Sequence, residues 1–146
     1  MVKKYQHVLL AIDLHPDCDK TTGARAVAIA KDFDAKLSVI HAIEHISAYG
    51  IAQAYPTVLD LEEQIVNEAR EQLAKLSKTW DIEPTHQYVE VGPPKAIILA
   101  KAIEIKADLI VVGSHGRHGL GLLLGSTSNA VLHGAPCDVL AVRVKE

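Results

Sequence analysis

The sequence contains few aromatic residues, with one phenylalanine, one tryptophan and four tyrosines among 146 residues. Hydrophobic residues nevertheless make up 49% of the chain, so its core has to consist mainly of valine, isoleucine, leucine and alanine. Such a core is typical of helices that pack on a parallel sheet. A chain of this length can bury a sufficient core without disulfides or a structural metal. We therefore expect residues 1–146 to form one domain.

Cysteine, positive charge and long apolar runs are scarce as well. Cys18 and Cys137 are the two cysteines, far apart in sequence, which favours separate thiols in a reducing compartment. The formal net charge of -3 provides no basic stripe, so nucleic acid is not an expected partner. No apolar run is long enough for a membrane span, and the polar stretch 1–7 does not resemble a signal peptide. We expect a cytoplasmic protein without membrane contact.

Short apolar runs alternate with segments of helical periodicity. Strands are predicted at His7–Asp13, Lys36–Ile43, Thr85–Val91, Asp108–Val112 and Cys137–Val144. The third alternates polar and apolar residues, as an edge strand with one exposed face does. Helices are predicted from a cap at Asp17 or Asp19 to Asp34, and over Val58–Lys78, Ala96–Ile105 and Ser126–His133. This alternation indicates an α/β fold with a parallel sheet and helices on both faces.

In such a sheet, ligands bind beyond the carboxyl ends of the strands, where the strand order reverses. The candidate residues therefore directly follow the strands: Asp13–Cys18, Ala42–His45, Gly92 and the segment from Gly113 onward.

The glycine-rich segment from Gly113 to Thr127 is the candidate with the clearest chemistry. Gly113 and Gly116 follow a buried strand, where the lack of a Cβ lets the backbone approach a ligand. Gly125 and Ser126 then open a helix, whose free backbone N–H groups and dipole favour an anion. The hydroxyls of Ser126 and Thr127 can add hydrogen bonds. The segment is interpreted as a phosphate cradle, although tight turns and a helix cap would also use these residue types.

These residues, together with the opening strand Val8–Asp13 and the closing strand Asp138–Arg143, resemble the universal stress protein family over the whole chain. The resemblance implies a doubly wound, five-stranded parallel sheet of the flavodoxin-like or adenine nucleotide alpha hydrolase-like type, with strand order 3-2-1-4-5. It also implies a homodimer that pairs largely through the last strands. One branch of the family binds ATP or AMP, and the other does not.

The nucleotide-binding branch carries the motif Gly, two residues, Gly, nine residues, Gly, then Ser or Thr. Gly113, Gly116 and Gly125-Ser126 match it, but eight residues, Arg117–Leu124, separate the second and third glycines here. The resemblance places Ala11 and Asp13 near the adenine and ribose, the backbone of Ala42 at the adenine edge, and Gly113 under the ribose. It places Gly116, Gly125, Ser126 and Thr127 around the phosphates, with Arg117 as a nearby cation.

Other nucleotide and metal sites fit the sequence less well. The chain has no lysine between Arg117 and Lys145, so the Gly-Lys-Ser/Thr of a Walker loop is missing. Leu14-His15-Pro16 after the first strand does not match a Rossmann glycine motif. A zinc site needs a third and a fourth ligand in a defined geometry, and the sequence offers few candidates besides histidine. We therefore assign no metal ligands. The candidates for such a site are His15, His115 and His118, with Asp13 or Cys18.

The sequence therefore predicts a stress-response regulatory dimer that binds AMP or ATP, with Mg²⁺ accompanying ATP. A dimeric interaction module of the same fold without nucleotide is the alternative. Slow ATP hydrolysis is a third, and no catalytic residue is assigned because nucleophile, base and orienting group cannot be placed together.

Overall fold

The computed structural model describes residues 4–45, 56–114 and 126–144, apart from the side chains of residues 16–18, 56–59 and 126. Strands and helices alternate along these ranges: β1 (His7–Ala11), α1 (Pro16–Phe33), β2 (Lys36–Ile43), α2 (Pro56–Thr79), β3 (Gln87–Val91), α3 (Pro94–Glu104), β4 (Leu109–Ser114), α4 (Ser126–Gly134) and β5 (Asp138–Arg143). A 3-10 turn, Pro84–His86, precedes β3. No helix within these ranges combines the length and the apolar character needed to cross a bilayer.

The strands form one parallel sheet in the order β3-β2-β1-β4-β5. β1 lies at the centre, and the chain builds outward from it, first through β2 to β3 and then through β4 to β5. This order confirms the predicted doubly wound α/β sheet.

Two hydrophobic cores lie on opposite faces of the sheet. Val8 and Leu10 of β1 face the core that α1 and α2 cover, whereas Leu9 and Ala11 face the core that α3 and α4 cover. These four side chains are at most 9% exposed. The continuous apolar run of β1 follows from this burial on both faces, since each face requires apolar side chains.

The start of α1 differs from the prediction. Its N-cap residue is His15, whose side chain makes no capping hydrogen bond. Neither Asp17 nor Asp19 is the cap, because Pro16 stands in the first turn and suits that position. Asp19 donates its backbone N–H to the carbonyl of His15 at 2.9 Å, which places it inside the helix.

Polar contacts fix the amino end of β1. The Asp108 carboxylate accepts the backbone N–H of His7 at 3.0 Å and that of Gln6 at 2.9 Å. His7 Nδ1 donates to the carbonyl of Ile105 at 3.1 Å, so its Nε2 accepts the hydroxyl of buried Ser38 at 2.7 Å. Burial lowers the pKa of His7, in agreement with a neutral ring. This network is structural.

Gly23 of α1 allows close contact with Trp80, which follows α2. A Cβ at Gly23 would lie 2.2 Å from Cζ2 of the indole, which is 9% exposed. Alanine favours a helix over glycine by about 1 kcal/mol. Because the indole has to move, we nevertheless expect Gly23→Ala to lower the free energy of unfolding by roughly 1–3 kcal/mol.

Urea denaturation measures this change. Thr21→Ala, at an exposed position of the same helix, is the control and should change stability by less than about 0.5 kcal/mol. A Gly23→Ala protein as stable as the control would contradict the packing of Trp80 on Gly23.

Candidate functional site

The carboxyl ends of β1 and β4 lie side by side. Leu10 pairs with Val111 at the last paired position, and both chains continue beyond it. After β1 the chain enters α1 on one face of the sheet, whereas α4, which follows β4 in sequence, covers the other face. The region between the two strand ends, called the crevice below, is the position where doubly wound sheets bind ligands.

Asp13 lies in the turn that joins β1 to α1. Its carboxylate Oδ1 accepts the backbone N–H of His15 at 3.2 Å, a contact that aspartate commonly makes in turns. Leu14 between them has a φ of 61°, a conformation that strains a residue with a side chain. The Leu14 side chain packs against the hydrophobic core. The turn thus holds the exposed Asp13 carboxylate at the edge of the crevice.

Ala42, at the end of β2, is a predicted site residue that would contact a ligand through its backbone. In β2, the carbonyl of Ile40 accepts the N–H of Ile12 on the β1 side, and the carbonyl of Ile43 accepts the N–H of Gly92 on the β3 side. Because successive peptide groups of a strand point to opposite sides, the backbone of Ala42 points to the β1 side. β1 itself ends at Ala11, which pairs with Ile40. The Ala42 backbone therefore points into the space beyond the end of β1.

A buried serine joins α4 to the end of β4. Ser128, 5% exposed, donates its hydroxyl to the carbonyl of Gly113 at 2.5 Å. Ser114 donates its hydroxyl to the carbonyl of Val142 in β5 at 3.2 Å. The bond from Ser128 holds the first turn of α4, whose N–H groups have no partner within the helix, beside the carboxyl end of β4. A helix N-terminus in this position favours an anionic ligand.

Asp19, in the first turns of α1, is a buried acid that interacts with Asp13. Its side chain is 3% exposed, and its Oδ2 has no hydrogen-bond partner among the described residues. Burial, and after it the negative charge of Asp13, raise the pKa of Asp19 to about 7, although backbone N–H groups of Asp13 and His15 act in the opposite direction. The Asp19 carboxyl is therefore partly protonated at neutral pH.

The structure places six of the nine predicted site residues around the crevice: Ala11, Asp13, Ala42 and Gly113 at the ends of strands, and Ser126 and Thr127 at the start of α4. The other three predicted residues, Gly116, Arg117 and Gly125, lie outside the described residues. Ala11 has its side chain in the core, which leaves its backbone for contact with a ligand. The part that these residues play in binding stays a prediction.

The metal hypothesis gains no support from the described part of the chain, where no group of three metal-ligating side chains is found. His115 and His118 lie outside that part, as does the side chain of Cys18. His41 is half-buried and has a structural contact, since its Nδ1 donates to the carbonyl of Ile12 at 2.9 Å.

Sequence reasoning missed two polar residues of the crevice, Asp19 and Ser128. A signal for Asp19 was present: its spacing from Thr22, Ala26 and Ala30 is helical and puts a carboxylate on the buried face of α1. Ser128 gives no such signal, because its partner is a backbone carbonyl in another element.

Comparison with known proteins finds relatives over nearly the whole chain. The sequence profile of the universal stress protein family matches residues 4–143. Universal stress protein A homolog 2 of Coxiella burnetii is 48% identical over 141 residues, which cover 97% of each chain. Homolog 1 of the same organism is 44% identical over 143 residues, which cover 97% of this chain and 99% of the relative.

Solved structures share the fold. Universal stress protein UspA from Lactobacillus plantarum is 24% identical and superimposes with a TM-score of 0.81 over 97% of this chain and 100% of its own. A universal stress protein solved in complex with cAMP is 28% identical, with a TM-score of 0.64 over 98% of this chain and 100% of its own.

Removal of the Ser128 hydroxyl tests whether its hydrogen bond stabilises the position of α4 at the end of β4. Ser128→Ala leaves the carbonyl of half-buried Gly113 without this donor, so we expect the free energy of unfolding to fall by roughly 1–2 kcal/mol. Chemical denaturation measures it, with the exposed Asn129→Ala as the matched control. Equal stability of the two variants would show that the hydroxyl does not anchor α4.

The buried Asp19 makes stability depend on pH. Folding raises its pKa from 3.8 to about 7, so its favourable contribution is complete below about pH 4 and is lost as the pH rises through about 7. An asparagine at position 19 has nearly the shape of the aspartate side chain and cannot ionise. We therefore expect Asp19→Asn to be more stable than the wild type by roughly 1–3 kcal/mol above about pH 8, and by less towards pH 4.

Denaturation curves across this pH range check the expectation, with Asp32→Asn, at an exposed carboxylate of the same helix, as control. A constant difference between the wild type and Asp19→Asn at all pH values would contradict it.

Proposed function

The chain belongs to the universal stress protein family, and from this premise we propose that it binds an adenine nucleotide, AMP or ATP, in the crevice between β1 and β4. We further propose that it acts as a cytoplasmic homodimer that regulates a stress response. The observation that carries the proposal is the hydrogen bond from Ser128 to Gly113. It holds a helix N-terminus, a ready anion site, beside the strand end that borders Asp13.

Each end of the ligand has a partner of suitable chemistry. The exposed Asp13 carboxylate is a hydrogen-bond acceptor for the ribose hydroxyls or the adenine amino group. The Ala42 backbone, which points beyond β1, can meet the edge of the base. The first turn of α4, with Thr127, suits the phosphates. The complex of a relative with cAMP also supports an adenine nucleotide as the ligand class.

We assign the remaining phosphate contacts to Gly116, Gly125 and Ser126 of the sequence motif and to the neighbouring Arg117. Mg²⁺ would accompany ATP and neutralise part of its charge. Without a Walker lysine after Gly125, the segment suits binding rather than phosphoryl transfer. The proposed output is therefore a change of conformation or partner on binding, not turnover.

The proposed dimer uses β5. This strand is at one edge of the sheet, and an edge strand can extend its hydrogen bonding to a second copy. Light scattering after size exclusion measures the mass in solution.

Replacing Gly125 by valine tests the phosphate site. A side chain there would occupy the space of a phosphate, so we expect Gly125→Val to weaken ATP and AMP binding by at least about 100-fold while the mass in solution is unchanged. Gly121→Val lies in the same glycine-rich segment but outside the motif, and serves as the matched control. Isothermal titration calorimetry measures both variants.

The outcomes separate the candidate functions. Wild-type protein that binds no ATP, ADP or AMP at millimolar concentration would overturn nucleotide binding and favour the interaction module. Binding that Gly125→Val leaves unchanged would remove the phosphate role of that glycine. Release of inorganic phosphate from ATP, with and without Mg²⁺, decides whether slow hydrolysis accompanies binding.

A further inference from the structure

We infer that Asp19 is a positioning residue of the proposed nucleotide site. Its buried carboxyl shares a proton with Asp13 and thereby fixes the Asp13 carboxylate in the orientation that the ligand meets. The inference rests on the proposed function, since Asp13 has to contact the nucleotide for its orientation to matter. It makes binding of the nucleoside part dependent on the protonation of a residue that the ligand does not touch.

Burial of Asp19 next to Asp13 favours a proton between the two side chains. The carboxyls of Asp13 and Asp19 are within hydrogen-bonding contact of each other, yet two ionised carboxylates can only accept. Asp19 Oδ2 receives no hydrogen bond from the described residues while its side chain is 97% removed from solvent. A proton on Asp19 turns it into a donor, and the exposed Asp13 carboxylate is the acceptor within reach. The buried oxygen thus gains the partner that it lacks.

Among the residues that the structure describes, few other charged groups face Asp19 from the elements that pack on α1. Asp13 and His15 precede the helix, and the apolar residues of β1 and β4 line its inner face. His41 of β2 lies on this face of the sheet and binds the carbonyl of Ile12, and Asp138 of β5 lies at the opposite end, where it accepts the hydroxyl of Tyr5.

Apart from Asp19, the charged side chains that the structure describes on α1 are exposed, and so are those next to Trp80. Lys20, Arg25, Lys31 and Asp32 of α1, together with Lys78 and Asp81 around Trp80, are exposed. Asp13 therefore dominates the electrostatics of Asp19, in agreement with its charge being the largest cause of the pKa shift after burial.

Loss of the shared proton changes the Asp13 carboxylate. With one proton in the pair, Asp13 is held from two sides, by the His15 N–H and by Asp19. When both groups are ionised they repel each other, and Asp13 turns away towards water. The hydroxyl and amino groups of adenosine then no longer find the Asp13 carboxylate in position to accept their hydrogen bonds. By linkage, a ligand that prefers the protonated pair also raises its proton affinity.

Adenosine is the probe that isolates this effect, because nucleotide phosphates themselves titrate with a pKa of about 6. Calorimetry of the wild type, Asp19→Asn and Asp19→Ala between about pH 6 and about pH 8.5 brackets the pKa of about 7. We expect wild-type affinity to fall about 5- to 10-fold across this range, with proton uptake on binding at the alkaline end.

The two variants separate positioning from a structural role. Asp19→Asn donates its amide N–H to Asp13 at every pH, so its affinity should equal that of the acidic wild type and stay constant within about 2-fold. Asp19→Ala has no donor and should bind weakly at every pH. Thermal unfolding verifies that the variants are folded, and the wild type and Asp19→Asn alone suffice if alanine unfolds the chain.

Three results would overturn the inference. Wild-type affinity that is constant with pH removes the role of the shared proton, and so does the same pH dependence in Asp19→Asn, which would assign the titration to another group such as His15. In both cases adenosine still binds, and the proposed function stands. Failure of wild-type protein to bind adenosine, AMP or ATP at every pH overturns both the inference and the proposed function.

Discussion

Parallel pairing of β1 with β4, Val8–Leu10 against Leu109–Val111, is the constraint on which the rest of the structure depends. β1 is central, and its side chains are needed by both hydrophobic cores, so every helix has to cover one face or the other. α1 and α2 take one face, and α3 and α4 take the other. The helices α1 and α4, which follow β1 and β4 in sequence, lie on opposite faces of the sheet. The crevice is therefore a consequence of burying β1 on both sides.

Buried polar groups lie at both ends of the sheet. At the amino end, Asp108, His7 and Ser38 are all hydrogen-bonded, and burial keeps His7 neutral. At the carboxyl end, one oxygen of the buried Asp19 has no partner within the described part of the chain, and Leu14 adopts a strained backbone. A stable fold alone favours the first arrangement, because unsatisfied buried groups and backbone strain both cost stability. At the carboxyl end these costs fall on Asp19 and Leu14, which lie beside Asp13 of the proposed nucleotide site.

Local sequence patterns were sufficient for the architecture. Apolar runs and helical spacing predicted the strands, the helices and the sheet that the structure contains, because each element buries residues at its own period. Details that depend on contacts between elements were not accessible in this way. The start of α1 was placed at an aspartate, since Asp17 and Asp19 are good capping residues, whereas Pro16 begins the helix earlier. The contacts of Gly23 with Trp80 and of Ser128 with Gly113 join distant parts of the chain.

The position of a site residue could be predicted where it follows from the course of the backbone. The orientation of its side chain could not, because it depends on contacts with other elements. Asp13 follows a central strand, so its place at the crevice follows from topology. Its orientation does not, because it depends on two contacts with different properties. The His15 N–H is a permanent donor, whereas Asp19 donates only while it is protonated. A carboxylate held by one permanent and one titratable donor has a geometry that varies with pH near neutrality, and packing of the surrounding core cannot replace the missing proton.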